Sequence, residues 1–329
     1  MIIGLGLAAP TLAVPWLAGC APGDPAVDTP ALTPNAPAPA DTGNASATPS
    51  PTSAAPNPAA ERAATEQALA ALAAAILVGP HRKQLSKDRR QLLMFLRDAH
   101  TAHAQAITTP LPTAAAVKIG RMSLNSSLAL LSRRESSAAG HYRRAALKTK
   151  GSDAQLWGSL SAAAGSFAAA IGSANPPATR PVANRAPVEV LPEVAAVQEL
   201  VRQLHAIVYG YQLAIGKLKM LSRQRTKAER ELLAERVFRD QLIAWLRKRS
   251  ADVPAAAPAY QPSVVPRNPA TAGKLIMRMQ IALQPFCGLW LAAATTQPDR
   301  QQALTALTNA MKTARSWGAP LTAWPGFSS

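Results

Sequence analysis

Two histidines three residues apart, His100 and His103, are the clearest chemistry-bearing pair in this sequence. Residues at that spacing share one face of a helix, so the two imidazoles would be presented together. Glu135 is the only acid between residues 115 and 149, and it falls on the apolar stripe of that stretch. An unpaired carboxylate is costly to bury, so Glu135 needs a cationic or histidine partner. If the helices face one another, His100, His103 and Glu135, joined by Glu66, could ligate one zinc-like divalent ion. The competing expectation is a satisfied polar layer with no cofactor. A second set, His205 and Tyr209 one turn apart, flanks another apolar stripe and could hydrogen-bond across to Asp240 as a structural polar network. No residue is given a catalytic role. There is no Gly-rich phosphate loop, paired CxxC, HExxH or GxSxG string to support one of the motif-defined enzyme classes.

The elements that must position these residues are helices. From Val194 to Leu218 apolar residues recur at alternating spacings of 3 and 4, the signature of one long amphipathic helix, with Pro192 suited to its first turn. Thr226 and Glu229 form a capping-box pattern for a second helix, whose stripe includes Ala234, Phe238, Leu242 and Trp245. A Pro-rich loop over 251–269 leads to a third helix, from Ala272 to Ala293, that Pro285 should kink. A fourth opens near Pro298 and stops at Gly318 and Pro320. The first half repeats the theme: helices over 61–78, about 83–107 and about 115–149, then one capped by Ser152 and Gln155. The expected fold is all-α, two tandem antiparallel four-helix bundles over 61–174 and 190–329, joined by a Pro-rich linker at 175–189.

Ahead of the bundles the composition changes. Residues 21–60 hold ten prolines among Ala, Thr and Ser, which deny the segment helix and sheet alike, so 20–60 reads as a disordered tether. Fully extended, it would reach on the order of 100 Å. Residues 2–17 carry no charge and end in Leu17-Ala18-Gly19-Cys20, too short and too Pro-interrupted for a bilayer span. That string resembles the bacterial lipobox, which implies a lipoprotein signal peptide over 1–19 and lipidation of Cys20. The departure is an N-terminus with no Lys or Arg, which suggests a true start further upstream. The resemblance places the protein at the extracytoplasmic face of a bacterial cell membrane.

Lys and Arg outnumber Asp and Glu by 35 to 18, a net charge of +17, and both bundles share the excess. For an exported body the matching partners are anionic lipid, anionic wall polymer or a protein partner. Nucleic acid fits less well, because no aromatic residues interleave with the basic clusters as stacking platforms. With Cys20 lipidated, Cys287 beside Phe286 is the one free thiol, expected to behave as a small buried hydrophobe.

The second half also carries separated motifs of a known family. The run His205-Ala206-Ile207-Val208-Tyr209-Gly210-Tyr211, Arg236, Arg239-Asp240, the 254–262 loop with Tyr260, and Trp317 with Pro325-Gly326-Phe327 resemble a ferritin-like domain of unknown function from alanine-rich actinobacterial proteins. The resemblance covers roughly 190–327 and implies a four-helix ferritin-like fold with no established activity. A di-iron carboxylate bundle needs Glu-x-x-His on two helices, and this chain has none. Where the family commonly has Glu before the first histidine, this chain has Leu204. The expected function is therefore a lipid-anchored, non-enzymatic envelope module with a basic surface; the alternative is a metal-binding or redox protein using the first bundle.

Overall fold

The computed structural model describes residues 57–111, 117, 119, 120, 122–183, 185 and 189–328. The lipobox-like motif with Cys20 and nearly all of the tether lie outside them. Among the described residues there are eight α-helices and no strand: α1 (Pro58–Val78), α2 (Lys87–Ile107), α3 (Leu124–Lys148), α4 (Gly151–Gly172), α5 (Glu193–Ile215), α6 (Arg223–Lys248), α7 (Pro269–Ala293) and α8 (Gln297–Ser316). The all-α expectation holds.

Helix ends follow local hydrogen-bonding chemistry, and several differ from the sequence reading. Asn57 accepts from the Ala59 N–H, and α1 starts at Pro58, three residues into what reads as tether, because proline at the first position forfeits no bond. The chain turns once as a 3₁₀ segment at Arg82–Gln84, and Ser86 then caps α2. Ser123 caps α3 well after the expected start near 115. Ser152 does not cap α4: the helix begins at Gly151, behind Lys150, which offers no capping side chain. Ser222, not Thr226, caps α6, and Thr226 instead donates back to the Ser222 carbonyl. The capping box of the second half is at Asn268 and Thr271, opening α7. Pro192 precedes α5 as its N-cap residue rather than entering its first turn. Thr296 caps α8, with Pro298 in its first turn.

Packing groups the helices as expected, with α1 on α2 and α3 on α4, then α5 between α6 and α7, and α7 on α8. From Asn57 on, the described residues form one compact unit, because α4 lies against α7 and α8 and the two apolar interiors merge. Gly158 allows the close crossing of α4 on α7, since a Cβ there would sit 2.2 Å from a Leu291 methyl. Helix α7 runs through Pro285 and is apolar enough, by length and composition, to cross a bilayer; here its apolarity serves burial against three helices. The α6 stripe is rotated from the expected one: Leu232, Leu242 and Leu246 are buried and Ala234 is exposed.

After α8 the chain crosses back to the first bundle. Leu321 donates to the Ala178 carbonyl at 2.8 Å and accepts from the Arg180 N–H at 2.9 Å, so the tail pairs with the inter-bundle linker. Gln155 of α4 donates to the Gly326 carbonyl at 2.7 Å, which fixes the tail's far end.

Candidate metal centre

The four residues singled out from the sequence meet inside the first bundle. Glu66 comes from α1, His100 and His103 from successive turns of α2, and Glu135 from α3. Each is 1% exposed or less. They are there because each lies on the inward stripe of its helix, among leucines and alanines that exclude water.

His100 stands between two carboxylates. Its Nδ1 lies 2.7 Å from Glu66 Oε2 and its Nε2 lies 2.6 Å from Glu135 Oε1. His103 directs Nδ1 at the same Glu66 Oε2, at 2.9 Å, and Nε2 at the Ala323 carbonyl, at 2.9 Å. Tyr142, seven residues beyond Glu135 on α3, donates its hydroxyl to Glu66 Oε1. Aromatic rings hold the imidazoles in place: Phe167 stacks on His103 at 6.2 Å and meets His100 edge-on, while Trp324 lies 4.7 Å from His103.

Hydrogen positions follow from these partners. The Ala323 carbonyl can only accept, so His103 Nε2 carries its hydrogen, and neutral His103 then points an Nδ1 lone pair at Glu66. Three atoms that can ligate a cation converge: His100 Nδ1, His103 Nδ1 and Glu66 Oε2, all within 4.8 Å of one another. Something positive must lie among them, either protons or a metal cation. The outer contacts are those that commonly orient metal ligands. His100 can donate its other ring N–H to a carboxylate, His103 donates its own to a backbone carbonyl, and the ligating carboxylate receives a hydroxyl. Glu135 Oε2, fully buried, has no hydrogen-bond partner among the described residues.

The electrostatics fit a site built around positive charge. Burial alone would lower the basicity of His100, but Glu135 and Glu66 outweigh it and push its pKa up to about 10. Burial likewise opposes ionisation of Glu66, yet His100 and His103 hold its carboxyl well below the usual carboxylate range. For Glu135 burial prevails over the attraction of His100 and raises the pKa. Tyr142 is kept firmly protonated, first by burial and then by the Glu66 charge.

Comparison with known proteins bears on the other half of the chain. Residues 196–329 match the model of a domain of unknown function (DUF4439). A crystal structure of a conserved hypothetical protein from Mycobacterium tuberculosis is similar at 28% identity, covering 38% of this chain and 93% of that one, with a TM-score of 0.37. No curated protein matches. The matched residues take in nearly all of α5, all of α6 to α8 and the tail, so of the centre only the Ala323 carbonyl and the Trp324 ring lie within them.

Two contributors to the centre were missed in the sequence. Tyr142 was legible only as a member of the buried stripe, though its spacing from Glu135, two helical turns, puts both on one face. The Ala323 carbonyl is a backbone group 220 residues from His103 and leaves no mark in residue type. The second expected set does not assemble. Asp240 is bound by its neighbour Arg239 at 2.8 Å, Tyr209 packs its ring on Tyr260, and His205 Nε2 is buried with no hydrogen-bond partner among the described residues. Burial first, then the Arg239 charge, lowers the pKa of His205. Cys287 is free and fully buried, as expected for a packing thiol.

Proposed function

We propose that this protein is a metal-binding module in which Glu66, His100 and His103 hold one divalent first-row transition ion, with Glu135, Tyr142 and the Ala323 carbonyl as the supporting shell. The observation that carries the reading is the convergence of two imidazole Nδ1 atoms on one carboxylate oxygen, at 2.7 and 2.9 Å, in a fully buried cluster. Two imidazoles and a carboxylate suit zinc, iron or manganese in the +2 state. Donors around such an ion sit about 3.3 Å apart, so binding needs the three atoms to part by a few tenths of an ångström, within the reach of side-chain torsions. Without metal, protons take the same positions. A site this enclosed exchanges its ion slowly and offers a substrate no approach, which favours a structural or storage role over turnover.

A classical di-iron function has no support, because the Glu-x-x-His pairs it requires are missing from the sequence. We read the second bundle as a ferritin-like domain without metal, and the whole as a lipoprotein held by Cys20 on the outer face of a cell membrane, its basic surface toward anionic lipid or wall polymer. Support for the location is confined to the Leu17–Cys20 string and the Pro-rich stretch behind it. Palmitate labelling lost in Cys20→Ser tests it; labelling that persists in the variant would refute it.

Titration of the full-length protein with cobalt(II) tests the metal reading. A visible absorption band saturating at one equivalent is expected, absent in His103→Ala and in Glu66→Gln at unchanged helix content. Helical variants that still bind one equivalent, or a wild type that shows no saturable band, would overturn it.

A further inference from the structure

The tail that delivers Ala323 to His103 also walls a cavity of about 110 Å³, bounded by Arg180, Pro181, Ala183 and Arg185 of the linker, by α7 near Pro285 and by α8 near Arg315. Among the described residues its charged lining is three arginines, Arg180, Arg185 and Arg315, with no Asp or Glu. All three are half-buried, and among the described residues none forms an ion pair with a carboxylate. Their engagements are slight: Arg315 donates once, to the Ala319 carbonyl at 2.7 Å, and the Arg185 guanidinium lies 5.2 Å from the centre of the Phe327 ring. No side-chain hydrogen bond of Arg180 is present among the described residues.

Other inward-turned arginines of this protein are treated differently. Arg89 caps the end of α4 through the Ile171 and Ser173 carbonyls. Arg300 donates to the carbonyls of Leu147, Ala294 and Thr295. Guanidinium groups are planar forks of donors matched to oxyanions. Three of them line one concavity, and among the described residues they have few acceptors and no carboxylate, which leaves donors for an anion. Burial with no carboxylate beside it already lowers the pKa of Arg315. Ser166, Thr322 and Ser328 add hydroxyls to the same wall, over an apolar floor that includes Ile281 and Leu321.

We propose that this cavity binds a phosphate group, held by Arg180, Arg185 and Arg315. Phosphate rather than carboxylate is favoured because three cations are best matched by a dianion with several acceptor oxygens. The volume suits the group itself with a small substituent. Two sources share that chemistry, a free phosphate or phosphomonoester and the headgroup of an anionic phospholipid. The proposal stands independently of the metal centre.

The test is calorimetric titration of the full chain with inorganic phosphate at fixed ionic strength, alongside sedimentation with vesicles of phosphatidylglycerol or phosphatidylcholine. One saturable phosphate site is expected, weakened at least tenfold in Arg180→Gln and in Arg185→Gln, and unchanged in Arg90→Gln on the exposed side of α2. Vesicle binding that follows the same two variants assigns the headgroup as the source; vesicle binding indifferent to them assigns a free phosphate. Equal loss in all three variants means general charge attraction and overturns the proposal. So does the lack of saturable phosphate binding in a wild type whose vesicle binding is indifferent to the cavity variants.

Discussion

His103 has one ring nitrogen committed to a backbone carbonyl and the other aimed at a carboxylate, and Tyr142 fastens the far oxygen of that carboxylate. If the cluster holds an ion, Tyr142 supports a ligand without being one. Tyr142→Phe is therefore expected to weaken metal affinity roughly 10- to 100-fold while leaving the stoichiometry at one, as second-layer substitutions commonly do. Competition against a chromophoric chelator measures this, and an unchanged affinity would remove Tyr142 from the site. A separate residue-scale prediction concerns Glu235 in the second bundle. Burial, opposed by a 2.7 Å hydrogen bond from Gln280 and reinforced by Glu231, pushes its pKa up to about 7. Tyr211 on α5 and Cys287 on α7 are the other titratable groups nearby, both held protonated by burial. The folded state thus binds this proton more tightly than the unfolded chain, so Glu235 subtracts stability as pH rises from about 4.5 to 7, and nothing further above that. Glu235→Gln should flatten that fall, gaining roughly 1–3 kcal/mol at pH 8 relative to pH 5. Urea midpoints at the two pH values decide, and parallel shifts in wild type and variant would contradict the assignment.

At the scale of elements, what was legible in the sequence was the inward stripe of each helix, because burial imposes a 3.6-residue period on residue type. That is why Glu66, His100, His103 and Glu135 could be picked as one candidate set before their helices were placed. Caps were less legible: Ser152 and Thr226 carry the right hydroxyls, yet α4 starts one residue before Ser152, and α6 starts at Ser222, a better-placed competitor. The α6 stripe was misread at Ala234, because a helix so rich in charge has several weak apolar lines. The crossing of the tail was illegible, since it rests on backbone groups of Ala178, Leu321 and Ala323 and on an approach that only glycine allows. At Gly288 of α7 a Cβ would lie 2.0 Å from the Gly326 carbonyl oxygen, a backbone atom that cannot step aside alone. Gly288→Ala should cost about 1–3 kcal/mol by overpacking and also lower metal affinity by displacing Ala323 from His103. Thermal unfolding and chelator competition report the two effects, and loss of stability with metal affinity intact would show that the tail does not support the site.

For the whole molecule, the chain after α8 reaches the buried Glu66, His100 and His103 cluster of the first bundle through the Ala323 carbonyl and the Trp324 ring, and both bundles follow a Pro-rich N-terminal stretch in the sequence. The charge of +17 is spread over both bundles, so binding to anionic surfaces should fall steeply with salt, whereas the buried ion should be insensitive to it. The most direct test of the central claim is elemental analysis by mass spectrometry of the full-length protein, purified without chelator and without a histidine tag. Close to one equivalent of zinc, iron or manganese is predicted, lost in His103→Ala. Metal well below stoichiometry, before and after incubation with each of the three ions, would contradict the account and leave the cluster as a network of protons.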